Sequence, residues 1–315
     1  MKVLGHGLVV RSKKFDEWKI STQYQHDAQA RESLNRKPLV QLQDLRFALA
    51  LDYDLISADD NLPNCRHQPQ MLISEIYLSR QGEGLLTGTP SVFVRTSGCN
   101  LRCDFCDTPF TSWKPTGNQQ SIAEVVEAVV ESAAGSLPDR VHGQDEFDGP
   151  ATHVVLTGGE PMLAKEVEQL CESLANRNFH ITIETAGTLD RNLHCDLMSI
   201  SPKLSNSTPS AERAGQWAAK HEATRHRPDI VAALIGRHGY QLKFVVAKME
   251  DLDEIEAYLA DVGEVDRSKV LLMPEGIDAG TLQHRAEWLE PLCADRGFMF
   301  CPRQHIFWYG NKRAT

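Results

Sequence analysis

The sequence predicts an α/β fold, an incomplete β/α barrel of the partial type, preceded by an N-terminal extension. Three observations lead there. From about Met71 onward, short apolar runs of strand length alternate with stretches of helical apolar spacing, a pattern that implies a parallel sheet with crossover helices. Roughly six such repeats occur, fewer than the eight of a closed barrel. The least ordinary stretches of sequence each fall directly after a predicted strand, where β/α barrels build their active sites.

Residues 1–70 read differently from the rest. They are polar, hold few β-branched runs, and close on the turn-rich Asp59-Asp60-Asn61-Leu62-Pro63-Asn64. The stretch 39–55 is amphipathic and has helical spacing, but nothing in it bears chemistry. The segment is read as an accessory extension that packs on the main domain or on a dimer partner, which leaves 71–315 as the catalytic domain. Strands are expected at 72–78, 91–96, 152–156, 180–184, 197–200, 241–246, 270–273 and 298–300. Ser121 with Glu124 forms a capping-box pattern, and Gly135 can end that helix. Residues 163–177 show helical spacing through Val167, Leu170, Cys171 and Leu174. Asp251 with Glu254 opens a further helix that ends near Gly263, and 281–296 form another, closed by Gly297. Residues 136–150 look like a polar insertion.

Composition bounds the function. The chain has 315 residues, 41% hydrophobic and 24% charged, the balance of a soluble globular protein. Eight cysteines are too few and too unevenly spaced for a disulfide scaffold. Cys171 and Cys293 sit in apolar helical patterns and are expected in the core. Such usage fits a reducing compartment, taken here as the cytoplasm. The first residues contain no sustained apolar stretch, which argues against a signal peptide or a membrane span. A net charge of −10 gives no support for broad electrostatic binding to nucleic acid.

Cys99, Cys103 and Cys106 stand as Cys-x-x-x-Cys-x-x-Cys after the strand at 91–96. Three thiolates on one short loop can ligate three irons of a 4Fe–4S cluster, where an electron-transfer cluster normally uses four. The fourth iron then stays open to a small molecule. S-adenosylmethionine (SAM) can chelate it through its amino and carboxylate groups, and one electron can cleave the sulfonium to give a deoxyadenosyl radical. The competing reading is a zinc site. That site usually pairs two Cys-x-x-Cys knuckles; no second knuckle occurs, and Cys65 and His67 lie in a polar segment before a strand.

Four more strand ends point the same way. Gly158-Gly159-Glu160-Pro161 opens a helix directly after a strand; two glycines let backbone approach a ligand closely, and Glu160 can accept from the amino group of SAM. Ser201-Pro202-Lys203 has a hydroxyl, a rigid turn and a cation that can bind the ribose and carboxylate of SAM, and a loop with a solvated lysine is the alternative. Glu184 ends a strand and faces either the nucleoside or solvent. Met273-Pro274-Glu275-Gly276 follows the strand at 270–273. Five unusual sequences at five strand ends predict one shared site.

Arg80-Gln81-Gly82-Glu83-Gly84 lies between the first two strands. Its backbone groups, amide and carboxylate suit the edge of a pterin or purine, and a plain hairpin is the alternative. Arg95 is a charge inside an apolar strand and needs a partner: either a substrate carboxylate held in a bidentate fork or a structural acid. Asp107-Thr108 follows the last cysteine of the motif. A threonine hydroxyl is a weak Mg²⁺ ligand and suffices only where substrate supplies further oxygens. The tail Gln304-His305-Ile306-Phe307-Trp308-Tyr309 carries three adjacent aromatics and should fold back, closing the core or adding His305 and the terminal residues to the pocket.

Taken together, Gln-Gly-Glu-Gly, Phe-Val-Arg-Thr-Ser-Gly-Cys-Asn-Leu-Arg-Cys-Asp-Phe-Cys-Asp-Thr, Thr-Gly-Gly-Glu-Pro, Glu-Thr-Ala-Gly-Thr, Ser-Pro-Lys and a terminal Gly-Asn-Lys-Arg resemble the 7-carboxy-7-deazaguanine synthase family of radical SAM enzymes, from about Leu72 to the C-terminus. That resemblance implies a homodimeric lyase of the 7-deazapurine (queuosine) pathway, with a partial β/α barrel of the radical SAM type. Its substrate would be 6-carboxy-5,6,7,8-tetrahydropterin, with the adenosyl radical taking hydrogen from C6, ring contraction, loss of ammonia and regeneration of SAM. It further implies that Arg80, Gln81 and Gly82 line the substrate with Glu83 beside them, and that Arg95 and Thr157 hold its carboxylate. His305 and Thr315 would join from the tail. Phe105, Cys106, Asp107, Gly158, Gly159, Ser201, Pro202, Lys203, Met273, Pro274, Glu275 and Gly276 would contact SAM, and Thr108 would be the Mg²⁺ ligand. An electron donor such as flavodoxin or ferredoxin is implied as partner. A radical SAM activase that places a glycyl radical on another protein shares the cysteine and Gly-Gly-Glu motifs, but does not need Gln81, Glu83, Arg95 or Thr108 as a small-molecule pocket. A non-catalytic metal- or RNA-binding module is the remaining alternative, and the acidic balance argues against it.

Overall fold

The computed structural model describes residues 70–137 and 149–315. The extension at 1–69 with its expected helix at 39–55, the residues Cys65 and His67, and most of the polar segment 136–150 lie outside the described residues.

Among the described residues, nine strands form one sheet. Two of them, β1 (Gln70–Arg80) and β2 (Pro90–Thr96), pair antiparallel as a hairpin. The short β3 (Asn118–Ser121) pairs antiparallel with the start of β1. From β2 the order continues in parallel through β4 (His153–Gly158), β5 (His180–Thr185), β6 (Leu197–Ile200), β7 (Tyr240–Val246), β8 (Val270–Pro274) and β9 (Met299–Phe300). The sheet is open between β3 and β9, as the incomplete repeat count predicts.

The parallel strands bury one face in the core shared with the helices, while the other face carries residues that line a cavity. Val92 and Val94, Val154 and Leu156, Ile181 and Ile183, Leu242 and Phe244, and Leu272 are all buried, and helices lie against them. The helix α2 (Ile122–Ala133) shows why the chain turns helical there. Ile122, Val125, Val126 and Val129 fall on one buried stripe. Ser121 Oγ accepts from the Glu124 amide while the Glu124 carboxylate accepts from the Ser121 amide at 2.7 Å. The helix ends at Ala133 with Ala134 as its cap, and Gly135 directly follows the cap. Cys171 in α3 (Val167–Ala175) is buried. So is Cys293 in α8 (Ala279–Arg296), which Gly297 terminates in the left-handed conformation.

Three sequence expectations need correction. The helix expected at 163–177 begins only at Val167, because Pro161–Leu163 form a separate 3₁₀ turn capped by Glu160. β3 was not expected: it is a polar edge strand with little apolar pattern to read. Between β6 and β7 lie α4 (Ala211–Ala214), α5 (Gln216–Arg225) and α6 (Pro228–Arg237), none of them foreseen. In α5 the buried positions are His221 and Arg225, so an apolar stripe is absent by construction. A short α1 (Pro109–Ser112) follows the cysteine loop.

The tail returns as expected. It leaves β9 at one sheet edge, forms α9 (Gln304–Tyr309), and donates the Gln304 amide to the Gly82 carbonyl at 2.8 Å. Arg313 then reaches Glu75 on β1 at 2.7 Å. The tail therefore spans the mouth of the curled sheet from β9 to the β1–β2 hairpin. Among the described residues, no helix is long and apolar enough to cross a membrane.

Candidate active site

The cysteine loop begins where β2 ends. The Ser97 amide pairs with Leu72 and the Gly98 amide with Thr111, so the chain turns across the strand ends. Arg102 donates to the Cys99 and Leu101 carbonyls at 2.8 and 2.7 Å, and Trp113 Nε1 donates to the Cys103 carbonyl at 3.1 Å. These bonds fix the loop backbone with the thiols of Cys99, Cys103 and Cys106 lining one cavity of about 490 Å³. The thiols are free. Burial pushes Cys99 up to about 11 and Cys103 up to about 12. Such thiols become thiolates readily only against a strong positive centre. The Ser112 hydroxyl lies 3.2 Å from Cys106 Sγ. Among the described residues, no three His, Cys, Asp or Glu side chains converge as ligands of a single metal ion. A 4Fe–4S cluster takes its three thiolates on three different irons and needs no such convergence. The donor set and the cavity fit such a cluster.

The glycines after β4 have a different cause from the one the sequence suggests. A Cβ on Gly159 would stand 2.0 Å from the Gly98 carbonyl oxygen, and one on Gly158 would stand 2.2 Å from the Thr96 carbonyl oxygen. The Gly159 amide donates to Thr96, and the Glu160 amide to Gly98. Gly-Gly thus lets the β4 exit lie against the base of the cysteine loop, and both glycines still line the cavity. Glu160 does not line it. The residue is 1% exposed, and its carboxylate accepts from the Met162 and Ala186 amides and the Thr185 hydroxyl. Its structural role is to tie the β4 turn to the end of β5. A free carboxylate aimed at an ammonium, as the sequence suggested, is not what the geometry provides.

On the same side, Ser201, Lys203, Met273, Pro274 and Glu275 line the cavity, as do Phe105, Asp107 and Thr108. The Lys203 ammonium is curled onto the Ser201 hydroxyl at 2.7 Å. Pro202 and Gly276 do not line the cavity: Pro202 is buried, and the Gly276 carbonyl accepts from Arg303 at 2.7 Å. Glu275 pairs with Arg285 from α8.

Across the cavity, the residues read as a pterin edge form a charged network. Gln81 donates to Glu184 at 3.3 Å, and its Oε1 accepts from the Glu83 amide at 3.1 Å. Glu184, whose orientation the sequence left open, turns inward and also accepts from the Thr157 hydroxyl at 2.8 Å. Lys243 bridges Glu83 at 2.9 Å and Glu184 at 3.4 Å. Arg303 bonds Glu83 at 3.1 Å and also engages Asp107. Burial alone would raise Glu83, but Lys243, Arg303 and His305 outweigh it and hold the carboxyl well below the usual range. Burial alone would lower Lys243, and Glu184 and Glu83 reverse that. Glu83 is therefore an ionised acceptor, and Lys243 holds both carboxylates in place before any ligand arrives.

Arg80, Gly82, Arg95, His305 and Thr315 complete the lining. Gly82 is required by the tail, since a Cβ there would meet the His305 ring at 2.5 Å. Arg95 has the structural acid anticipated as one of its two partners: Glu75 lies 3.2 Å away, and the Tyr77 hydroxyl 2.7 Å away.

Sequence reasoning missed Lys243, Arg303, Tyr77 and Glu75. Lys243 had a signal, because Gln241-Leu-Lys-Phe-Val-Val places a cation inside an apolar strand as plainly as Arg95 does. Arg303 had none, since its partners are 196 and 220 residues away.

The loop is supported from beneath by His221 on α5, which is fully buried. Its Nδ1 accepts the Arg102 amide at 3.1 Å, so Nε2 carries the proton and faces Ser207 Oγ at 2.9 Å. Burial, with Arg225 adding to it, lowers His221 to about 4. The unfolded state, titrating near 6.5, then binds more protons than the folded state between those values, so stability falls as pH falls. Lowering pH from about 7.5 to about 5.5 should cost about 1 kcal/mol through this residue, rising toward ~3 kcal/mol near pH 4. Urea unfolding of wild type and His221→Gln at both pH values checks this; an equal slope in the variant contradicts it.

Comparison with known proteins adds to the geometry. Residues 93–206 match the family described as the radical SAM superfamily. The 7-carboxy-7-deazaguanine synthase of Rhodopirellula baltica is 44% identical over 249 residues, covering 79% of this chain and 90% of that protein. That of Halobacterium salinarum is 41% identical over 268 residues, covering 82% and 98%. The crystal structure of QueE from Escherichia coli superposes with a TM-score of 0.51 at 22% identity, covering 75% of this chain and 95% of that one, and shows the same fold.

Proposed function

The chain belongs to the 7-carboxy-7-deazaguanine synthase family of radical SAM enzymes, and on that footing we propose that it converts 6-carboxy-5,6,7,8-tetrahydropterin to 7-carboxy-7-deazaguanine with loss of ammonia. One observation supports this above the rest. A single cavity brings the three thiols of the cysteine loop together with Gln81, Glu83, Arg95, Thr157 and Glu184, which a partner-protein activase has no need of.

In this reading Cys99, Cys103 and Cys106 hold the 4Fe–4S cluster, and SAM lies against Phe105, Asp107, Gly158, Gly159, Ser201, Lys203 and Met273 to Glu275. When bound, cluster and SAM supply one-electron cleavage of the sulfonium and hydrogen-atom abstraction at C6 of the substrate. The chain's own residues bind and orient. Glu83 and Glu184, both held by Lys243, accept from the amino and N–H groups of the pterin. Arg95 and Thr157 take the substrate carboxylate. Arg95 is already paired on one side by Glu75 and Tyr77, which holds the guanidinium in place and lowers the entropy lost on binding. Thr108, which lines the cavity, would offer its hydroxyl to a Mg²⁺ ion, with substrate supplying further oxygens. His305 and Thr315 close the pocket from the tail. The cytoplasmic homodimer and the accessory role of residues 1–70 expected from the sequence belong to the same reading.

Arg95→Ala tests the substrate assignment. We expect the cluster and substrate-independent SAM cleavage to persist while KM for the pterin rises about 100-fold, the effect of losing a charged hydrogen bond of roughly 3 kcal/mol. Steady-state kinetics with the pterin read this, and an unchanged KM would remove Arg95 from the substrate.

A further inference from the structure

We infer that His221 is a positioning residue for the electron-accepting step: it sets how readily the cluster is reduced by holding a backbone amide of the cysteine loop away from the sulfurs. This rests on the proposed reading, in which Cys99, Cys103 and Cys106 carry a 4Fe–4S cluster that takes up one electron. The loop has two sides. Cys99, Leu101, Cys103 and Phe105 line the cavity, whereas Asn100, Arg102 and Asp104 do not. Behind the loop lie the 3₁₀ turn Ser205–Ser207 and α5, and two loop amides are engaged there. The Arg102 amide donates to His221 Nδ1 at 3.1 Å, and the Asp104 amide donates to the Ser207 carbonyl at 2.8 Å. His221 and Ser207 are both fully buried, and neither lines the cavity.

A relay fixes the direction of these bonds. The Ser207 hydroxyl donates to the Leu204 carbonyl at 2.6 Å, so its oxygen accepts from His221 Nε2–H at 2.9 Å, which leaves Nδ1 as the acceptor for Arg102. The peptide between Leu101 and Arg102 is held at its other end as well. The Arg102 guanidinium donates to the Leu101 carbonyl at 2.7 Å and stacks on the Trp217 ring at 4.0 Å. The Leu101 amide, by contrast, donates to Cys99 Sγ at 3.4 Å. Hydrogen bonds to the sulfurs are among the factors that set an iron–sulfur potential. An N–H aimed at a sulfur stabilises the reduced, more negative cluster. Reductive cleavage of a sulfonium needs an electron at low potential, so a loop that turns amides away from the sulfurs suits the reaction. Without an acceptor at position 221 the Arg102 amide is left buried and unpaired, which is costly, and the acceptors on the other side of the loop are sulfurs. Turning that peptide makes and breaks no covalent bond, and the electron itself comes from an external one-electron reductant.

The full chain is reconstituted anaerobically with iron and sulfide and titrated with dithionite through redox mediators, without SAM. The midpoint potential is read from the electron paramagnetic resonance signal of the reduced cluster. His221→Asn keeps an acceptor oxygen near the place of Nδ1, His221→Gln keeps a donor near the place of Nε2, and His221→Leu keeps neither. We expect His221→Asn to titrate as wild type does. We expect His221→Gln and His221→Leu to favour the reduced cluster about tenfold more, a rise of about 59 mV for one electron. Ser207→Ala removes the acceptor that fixes the ring tautomer and should give a smaller rise. No rise in His221→Gln, or an equal rise in His221→Asn, would overturn the assignment. Where the His221 variants lose their iron, Ser207→Ala titrating at the wild-type potential overturns it. A wild type that gives no 4Fe–4S signal on reduction would instead overturn the cluster reading on which the assignment rests.

Discussion

Cys103→Ala is expected to abolish both the iron–sulfur absorbance and turnover, whereas Cys171→Ala should leave both in place. The two cysteines differ only in position. Cys103 is on the cavity side of a loop whose backbone is held by Arg102, Trp113 and Asp104 contacts, and its thiol lines the same cavity as those of Cys99 and Cys106. Cys171 is fully buried in α3 among Val167, Leu170 and Leu174, where it behaves as a small apolar side chain. With three thiolates for three irons, removing one leaves too few ligands to retain the cluster. The Cys103 backbone contacts survive the substitution, so far-ultraviolet circular dichroism should be unchanged. Iron and sulfide analysis of anaerobically reconstituted protein reads the outcome. Cys103→Ala retaining wild-type iron would place the cluster elsewhere, and stoichiometric zinc without sulfide would remove it.

Lys243→Met should be the next most damaging change, in stability as well as activity. Lys243 is 3% exposed and touches both Glu83 and Glu184. Methionine keeps the stem volume but leaves the carboxylates with less compensation. Breaking a buried pair by deleting one partner costs about 3–5 kcal/mol. Arg303 still faces Glu83, and Glu184 keeps the Thr157 hydroxyl, which places the cost at the lower end. A loss of about 3 kcal/mol corresponds to a fall in Tm on the order of 10 °C. The pterin KM should rise as well, because the acceptors are no longer held in place. Adding Glu184→Gln to Lys243→Met should recover part of the lost stability, as partners in one network are not additive. Wild-type Tm and KM in Lys243→Met would show that the network does not organise the pocket.

The parts of this molecule that were legible in the sequence are those encoded locally. The core-facing positions of the parallel strands are Val, Ile, Leu and Phe, and the capping box at Ser121 and Glu124 needs only four residues to be seen. The placement of the cysteine loop and four other unusual stretches at strand ends was legible because barrel chemistry collects there. What escaped depends on contacts distant in the chain. Arg303 meets Asp107 and Glu83 only because the tail spans the mouth of the sheet. α5 escaped because its buried face is His221 and Arg225, which serve the cysteine loop and an ion-pair cluster with Glu222 and Glu254 rather than an apolar core. Glu160 shows the opposite error. A carboxylate beside two glycines looked free for a ligand, but three backbone and hydroxyl donors from β5 and the 3₁₀ turn already occupy it.

The most direct measurement is an anaerobic assay of the reconstituted chain with SAM, reductant, Mg²⁺ and 6-carboxy-5,6,7,8-tetrahydropterin, followed by mass spectrometry. The account predicts 7-carboxy-7-deazaguanine accumulating well beyond the amount of SAM consumed. Deoxyadenosine formed with no deazapurine would contradict it and point to a different substrate for the same cavity.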